Sequence, residues 1–212
     1  TMPGKLTFYT NPMSRGQIAR WMLEEVGAPY ETVLLEYGTT MKGANYLDLN
    51  PMGKVPAIVH DGKVVTEAAA ICAYLADAFP AASLGPTPEG RADYYRWMFF
   101  AAGPIEAAFG NQAAGFVPPD DKQGMMGYGN FDLAVDTLEK AVAGKTYIAG
   151  DRFSAADVYV GSMIAFLTGF GMLQPRPAFT AYVDGLSTRP AYIKAKSIDN
   201  ALIAAAQEKA DA

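Results

Sequence analysis

Cysteine and histidine are scarce in this sequence. One cysteine, Cys72, and one histidine, His60, occur among 212 residues. A single cysteine excludes an intrachain disulfide bond and any Cys-x-x-Cys site. A single histidine argues against a histidine-based metal centre and against a Ser-His-Asp triad. We therefore expect no bound metal ion and no disulfide framework.

Basic charge is scarce as well. Lys and Arg together number 17 and Asp and Glu number 22, so the formal net charge is −5 at pH 7, and the basic residues form no cluster. Nucleic acids and anionic membranes attract proteins through basic patches. The composition therefore argues against a nucleic-acid partner and against a membrane partner.

Long apolar runs are absent. The longest charge-free apolar stretch covers residues 158–173 and contains Gly161, Gly169 and Gly171. A transmembrane helix needs about 20 apolar residues, so this stretch is typical of a helix buried within a helical domain. Residues 1–5 contain no apolar targeting region. We expect a protein of the cytoplasm.

The sequence is divided into two parts with different periodicity. In the first part, short β-rich segments alternate with amphipathic or Ala-rich segments. The predicted strands cover residues 5–10, 30–35, 55–59 and 64–66, and the predicted helices cover residues 15–26, 42–49 and 67–79. Asp61-Gly62 between the last two strands is typical of a hairpin turn. The order β-α-β-α-β-β-α predicts one small α/β layer unit.

The second part is predicted to be helical. Residues 81–90 contain Pro86 and Pro88 and are typical of a linker. The predicted helices cover residues 91–114 and 130–142 and begin again at Ser154, Phe179 and Tyr192. We expect an α/β domain over residues 1–80, a linker over 81–90 and an all-α domain over 91–212.

The turn after the first strand places Ser14 at the start of the first predicted helix. One interpretation is an N-cap, in which the hydroxyl accepts a backbone N–H bond and stabilises the helix by about 1 kcal/mol. The second interpretation uses the positive end of the helix dipole, where a hydroxyl can donate to a bound thiolate. Capping statistics by themselves favour the N-cap interpretation. The turn has the sequence Tyr9-Thr10-Asn11-Pro12-Met13-Ser14-Arg15-Gly16.

A second segment ends in Pro56 at the start of a strand, where a missing N–H is tolerated. A cis Val55–Pro56 bond would turn the Val55 backbone outward for an extended peptide ligand, whereas trans is the usual state because only about 5–6% of X–Pro bonds are cis. The segment is Asn50-Pro51-Met52-Gly53-Lys54-Val55-Pro56.

A third segment, Thr66-Glu67-Ala68-Ala69, leads from a strand directly into a helix. The first N–H groups of that helix, at Ala68 and Ala69, can bind a carboxylate, and Glu67 can bind an ammonium group. The alternative interpretation of Glu67 is a solvated acid that favours the helix dipole.

A fourth segment, residues 150–157, contains a capping box formed by Ser154 and Asp157, with Phe153 and Val158 as its hydrophobic staple. Together, in this order, the four segments resemble the glutathione transferase family, and the resemblance covers essentially the whole chain. It implies a thioredoxin-like N-terminal domain that binds glutathione and a helical C-terminal domain that shapes the electrophile pocket. It also implies a cytosolic protein of the bacterial type that works in detoxification as a homodimer.

The resemblance implies roles for individual residues. Glutathione is the expected cosubstrate, and a small hydrophobic electrophile is the expected second substrate. Many family members have Ser where this chain has Ala68, so only the backbone N–H remains there for the γ-glutamyl carboxylate. The expected glutathione contacts are Ser14, Lys42, Lys54, Val55, Pro56, Glu67 and Ala68, and the expected electrophile contacts are Met13, Phe109 and Phe116. The alternative for the two lysines is a solvated surface position, and an aromatic residue at helical spacing is more often part of a core.

The residue that contacts the sulfur has two candidates. Tyr-type members place Tyr at the end of the first strand, where Tyr9 stands. Cys-type bacterial members place Cys five residues later, at the position of Ser14. We favour Ser14 as the catalytic residue, as in a Ser-type active site, with Tyr9 as the second candidate.

Other functions stay open at this point. A glutathione-dependent isomerase, dehalogenase or peroxidase would use the same scaffold, and a non-catalytic glutathione-binding protein would keep the fold alone. A thiol-disulfide oxidoreductase would need an attacking thiol in the turn of residues 9–15, which contains none. We expect a transferase that activates the glutathione thiol as a thiolate for conjugation to an apolar electrophile.

Overall fold

A computed structural model describes residues 4–210. Residues 1–3 and 211–212 lie outside the described residues. The outer ends of the two predicted domains therefore lie outside them too, as does most of the segment at residues 1–5 that was considered for a targeting signal. Contacts divide the chain into two compact units. The first comprises the chain up to Gly85 and from Thr188 onward, and the second comprises Pro86–Ser187.

The first unit contains a mixed four-stranded sheet. Its strands are β1 (Leu6–Thr10), β2 (Glu31–Leu34), β3 (Ala57–His60) and β4 (Lys63–Thr66), in the order β2-β1-β3-β4. β1 pairs parallel with β2 and antiparallel with β3, and β3 and β4 form the predicted hairpin. Leu6 and Phe8 are buried on one face of β1, and Tyr9 lies on the other. The predicted thioredoxin-like unit is confirmed.

The helices of the first unit cover both faces of this sheet. They are α1 (Gly16–Val26), α2 (Ala44–Leu47) and α3 (Ala68–Ala78), with a further helix, α9 (Pro190–Ala210), at the end of the chain. α1 buries Ile18, Trp21 and Met22, as its 3.6-residue periodicity predicts. It ends at Gly27, whose φ of 71° is the left-handed cap that favours glycine.

Helix α9 packs on α1 and therefore groups with the first unit, although the sequence analysis assigned residues 188–212 to the helical domain. Ion pairs join α1 to α9 and to the residue before it. Arg189, directly before α9, binds Glu25 through Nε at 2.7 Å and Nη2 at 2.9 Å, and buried Arg20 binds Asp199 of α9 at 3.1 Å. Helical periodicity predicts that this segment is a helix, but it does not say which partner the helix meets.

The second unit is helical, as predicted. Its helices are α4 (Arg91–Phe100), α5 (Glu106–Ala113), α6 (Phe131–Val142), α7 (Ala155–Gly169) and α8 (Pro177–Ser187). The single helix predicted over residues 91–114 is interrupted by a π-helical turn at Ala101–Ile105. Pro104 in this turn has no N–H for the regular ladder, which accounts for the interruption.

Helix α7 forms the centre of the second unit and buries most of its residues. The prediction of a buried helix in the charge-free stretch is therefore confirmed. No helix among residues 4–210 is long and apolar enough to cross a lipid bilayer.

The predicted capping box is present at the start of α7. The Asp157 Oδ2 atom accepts the Ser154 N–H at 2.9 Å. Its Oδ1 atom accepts the Ile148 N–H at 2.8 Å and the Tyr182 hydroxyl at 2.7 Å. Burial raises the pKa of this carboxyl, and the hydrogen bonds that it accepts oppose the shift. Asp157 thus ties three parts of the unit together.

Candidate active site

Strand register brings the three N-terminal segments to one end of the sheet. Tyr9 lies opposite Ala57, and Ala57 lies opposite Thr66. The turn at residues 10–14 follows β1, residues 55–56 precede β3, and residues 67–68 follow β4. Because β3 is antiparallel to both neighbours, the end of β1, the start of β3 and the end of β4 are adjacent. Segments far apart in sequence therefore form one site.

Asn11 holds the turn after β1 in place. Its Nδ2 donates to the Leu35 carbonyl at 2.8 Å, and its Oδ1 accepts the Met13 N–H at 2.9 Å. Asn11 is not among the site residues expected from the sequence, although an Asn before Pro at the end of a strand is a known signal for such a side-chain turn. Both ends of the Asn11 amide are thus used to shape the turn.

Ser14 is 7% exposed, and its hydroxyl has two partners. It donates to the Asn11 carbonyl at 2.6 Å and accepts the Gly16 N–H at 2.9 Å. The helix N-cap position itself belongs to Arg15, so Ser14 caps the turn one residue earlier. A Cβ atom at Gly16 would lie 1.9 Å from Thr10 Oγ1, which explains why a glycine follows here. The hydroxyl lies at the start of α1, where the Gln17 and Ile18 N–H groups donate to the Ser14 and Arg15 carbonyls at 3.2 and 3.0 Å.

Tyr9, the second candidate for the sulfur contact, lies on the α2 side of the sheet. Its ring centroid is 5.7 Å from that of Tyr46. Both rings line a cavity of about 540 Å³ together with aliphatic side chains that include Val33 and Leu49. No residue in the described part of the chain forms a hydrogen bond with the Tyr9 hydroxyl. Tyr9 and Ser14 therefore occupy different surroundings, one aromatic and apolar, the other a polar turn.

The Val55–Pro56 peptide bond is cis, as the resemblance implies. Within residues 4–210 the N–H and C=O of Val55 form no hydrogen bond, so both are available to a ligand backbone. The preceding carbonyl, of Lys54, accepts the Tyr46 hydroxyl and the Asn50 amide, the latter at 2.9 Å. α2 and the loop after it therefore orient the backbone that Val55 presents.

The two candidate lysines differ in what they bind. Lys42 Nζ donates to the carbonyls of Met52 at 3.1 Å and Gly53 at 2.9 Å. Its ammonium group supports the loop before Val55 and is already engaged within the protein. Lys54 is exposed, and its ammonium group has no partner among the described residues. Lys54 therefore has the freer ammonium group for a carboxylate, whereas Lys42 keeps one of its three N–H donors.

Glu67 has a backbone conformation that is costly for a residue with a side chain. Its φ is 68° and its ψ is 119°, and its side chain is exposed. Such strained residues persist where the surrounding structure holds them, often at binding sites. α3 begins directly after it at Ala68 without a side-chain cap, so the first N–H groups of the helix are available to an anion. Glu67 and Ala68 thus offer a carboxylate and an anion site side by side.

The residues expected against the electrophile have different environments. Met13 in the first unit and Phe116 in the second are 67% and 46% exposed. Phe109 is 2% exposed and packs on Phe131, with ring centroids 4.8 Å apart. Phe109 is therefore a core residue of the helical unit and not the pocket residue that the sequence analysis expected. Its helical spacing among apolar residues fits a core position equally well.

Family models match both units of the chain. Residues 4–77 match the model described as "Glutathione S-transferase, N-terminal domain". Residues 90–185 match the model described as "Glutathione S-transferase, C-terminal domain".

Individual relatives agree with these matches. A glutathione S-transferase of Xanthomonas campestris pv. campestris is 30% identical over 165 residues, which cover 73% of this chain and 79% of the relative. A glutathione S-transferase of Hypomyces subiculosus is 26% identical over 208 residues, which cover 90% of this chain and 97% of the relative. A sphingomonad glutathione S-transferase solved in complex with glutathione has a TM-score of 0.74 at 28% identity and covers 92% of this chain and 98% of that one. The chain belongs to the glutathione transferase family.

Proposed function

We propose that this protein activates the thiol of glutathione as a thiolate and transfers it to an apolar electrophile. The observation that carries the proposal is the convergence of the Ser14 turn, the Val55 backbone and the Glu67–Ala68 step at one end of the sheet. Family membership supports the transferase activity, and the solved relative with bound glutathione supports the cosubstrate. The family resemblance supports the cytoplasmic, detoxifying homodimer that we propose with it.

The three segments offer a complementary group for each charged end of glutathione. The tripeptide has two carboxylates, one ammonium group and two peptide units. The N–H groups at Ala68 and Ala69 suit the γ-glutamyl carboxylate, and the Glu67 carboxylate suits the ammonium group. Val55 offers the peptide backbone an N–H and a C=O that bond to no described residue, with Pro56 fixing the direction of the chain. Lys54 suits the glycyl carboxylate.

Ser14 is the group that we assign to the sulfur. A thiol with a pKa near 8.5 is only a few per cent ionised at pH 7, so a reaction at neutral pH gains from a donor that favours the thiolate. The Ser14 proton now points to the Asn11 carbonyl, and rotation about Cβ–Oγ redirects it to a sulfur atom. This exchanges a bond to a neutral acceptor for a stronger bond to an anion. The accepted Gly16 N–H polarises the hydroxyl further.

The electrophile is assigned by its chemistry alone. Met13 directly precedes Ser14 and exposes its thioether side chain in the first unit, and Phe116 exposes its ring in the second. Flexible thioether and aromatic side chains bind varied apolar molecules. We propose an apolar carbon electrophile with a leaving group or an activated double bond.

Calorimetry and turnover together test this function. Glutathione and S-methylglutathione should bind the protein with similar affinity, because both present the same charged ends. Only glutathione should support turnover across a panel of aromatic halides and α,β-unsaturated carbonyl compounds. Absence of glutathione binding would refute the proposal. Binding without turnover of any electrophile would identify a non-catalytic glutathione-binding protein instead.

A further inference from the structure

We infer that helix α9 positions the thiol-activating turn through a relay of two hydrogen bonds, from Lys196 through Gln17 to the Pro12 carbonyl. The inference rests on the proposed function, because it concerns the turn that carries Ser14. Lys196 and Gln17 contact no expected glutathione group in this assignment. Both are therefore positioning residues.

The relay is continuous. Lys196 Nζ donates to Gln17 Oε1 at 2.6 Å, and Gln17 Nε2 donates to the Pro12 carbonyl at 2.7 Å. The two bonds fix the orientation of the Gln17 amide, because its oxygen meets a donor and its nitrogen meets an acceptor. Gln17 stands in the first turn of α1, directly after the residues that form the site.

The turn is otherwise held from the β2 side. Asn11 Nδ2 is bound to the Leu35 carbonyl, and Ser14 Oγ is bound to the Asn11 carbonyl. The Gln17 bond joins Pro12 to α1, and Lys196 extends this restraint to α9, so the turn is also held from the side of these two helices. Pro12 is buried and lies two residues before Ser14. A shift of Pro12 is therefore passed on to the Ser14 hydroxyl.

The Lys196 ammonium group is held where the relay needs it. Burial lowers the pKa of Lys196, and the nearby Asp199 carboxylate opposes that shift. The Nζ atom lies 5.7 Å from the centroid of the Tyr192 ring, a cation–π distance. A half-buried lysine with these neighbours has fewer rotamers than a solvated one, so its bond to Gln17 has a defined direction.

The anchoring of α9 does not depend on the relay. Arg189 binds Glu25, Lys194 binds Glu24 and Arg20 binds Asp199 along the same pair of helices. Removing the Lys196–Gln17 bond should therefore leave α9 docked and release only the turn. This separation makes the relay testable apart from folding.

The test compares variants with and without a change of charge. Gln17→Met removes both bonds and leaves the net charge unchanged, and Lys196→Met removes only the first bond. Lys194→Met is the matched control, because it removes an equal charge from an α9–α1 pair that does not reach the turn. Lys196→Arg is the rescue variant, since it keeps a cationic donor. Each variant is measured for melting temperature, glutathione affinity, kcat and the pKa of bound glutathione by ultraviolet titration of the thiolate.

The relay predicts a specific pattern. Gln17→Met should lower kcat about fivefold and raise the pKa of the bound thiol by about 0.7, with little change in glutathione affinity. Lys196→Met should also lower kcat and raise the pKa of the bound thiol. Lys196→Arg should recover most of the lost kcat, and Lys194→Met should match the unaltered protein in both quantities. The double variant Gln17→Met with Lys196→Met should be no worse than Gln17→Met alone, because both break one relay.

Two results would overturn the relay. One is an unchanged thiol pKa and kcat in Gln17→Met. The other is equal losses in Lys196→Met and Lys194→Met, which would show a general effect of charge or of α9 docking. If Gln17→Met does not fold, the comparison of the two lysine variants decides. Failure of the unaltered protein to form a thiolate at all would instead refute the proposed function, so the two failures are distinguishable.

Discussion

The hydrogen bonds of the Ser14 hydroxyl are compatible with both interpretations that its sequence position allowed. It accepts an N–H bond beside the start of α1, as a capping residue does, and it carries a proton that can be redirected from the Asn11 carbonyl. The Tyr9 hydroxyl has no partner within residues 4–210, but Tyr9 lies among the side chains of the cavity beside α2. The polarity of the turn is the reason for assigning Ser14 to the sulfur.

Substitution of each hydroxyl separates these two candidates. Ser14→Ala should raise the pKa of bound glutathione and lower turnover roughly 10- to 150-fold, because one hydrogen bond to a charged group is lost. Tyr9→Phe should change both quantities much less. Ultraviolet titration of the binary complex measures the pKa directly. A shift in Tyr9→Phe with none in Ser14→Ala would transfer the role to Tyr9.

A second residue-scale prediction concerns Asp157, which is structural. Asp157→Ala leaves the N–H groups of Ile148 and Ser154 and the Tyr182 hydroxyl without their buried acceptor. We expect a loss of about 3 kcal/mol in the free energy of unfolding. Urea titration measures this loss. The control is Asp151→Ala at an exposed position, which should change the free energy of unfolding by about 0.5 kcal/mol or less. The kcat of the folded fraction should not change, and unaltered stability would contradict this role.

At the scale of elements, α7 and α8 meet at a glycine. A Cβ atom added to Gly161 would lie 2.6 Å from Leu186 Cδ1, so the buried Leu186 side chain would have to shift within the core. Gly161→Ala should reduce the free energy of unfolding by about 1–3 kcal/mol through overpacking. Gly110→Ala inside α5 meets open space and should stabilise by about 0.5–1 kcal/mol. Thermal unfolding of the two variants should shift in opposite directions, and a parallel shift would refute the packing argument.

The contact between α1 and α9 contains a buried ion pair. Asp199→Ala leaves the Arg20 guanidinium buried without its carboxylate, and Arg20 Nη2 already lacks a partner in the described structure. We expect a loss of about 3–5 kcal/mol in the free energy of unfolding. Lys194→Met breaks a pair whose lysine is exposed and should cost about 1 kcal/mol or less. Denaturant titration compares the two, and equal losses would show that burial of the pair is unimportant.

At the scale of the whole molecule, the outer face of α4 presents aromatic side chains. Phe99 is 71% exposed and Tyr95 is exposed beside it, more apolar surface than the core of one unit uses. With the family resemblance, this predicts a homodimer. Sedimentation equilibrium at micromolar protein should give about twice the chain mass of 22.6 kDa, and Phe99→Glu should shift the equilibrium toward the single chain. A single-chain mass for the unaltered protein would contradict the prediction.

Much of the fold follows from local patterns in the sequence. Alternating residues in Leu6–Thr10, the Asp61-Gly62 turn and the capping box at Ser154 each specify an element through bonds made within a few residues. The π-helical turn was not predicted, because the effect of one proline on a helix depends on how its neighbours adapt. Local hydrogen bonding and periodicity thus determine where elements begin and end.

Contacts between distant residues were decided only by the tertiary structure. The sequence identifies Ser14, Val55 and Glu67 as candidates, but strand register is what brings their segments to one end of the sheet. Phe109 has the same apolar spacing as a pocket residue, and only packing on Phe131 makes it core. The links from Lys196 to Gln17 and from Asp199 to Arg20 span 179 residues each. Local patterns specify elements because their energies are local, whereas pairing between elements depends on which surfaces meet when the chain packs.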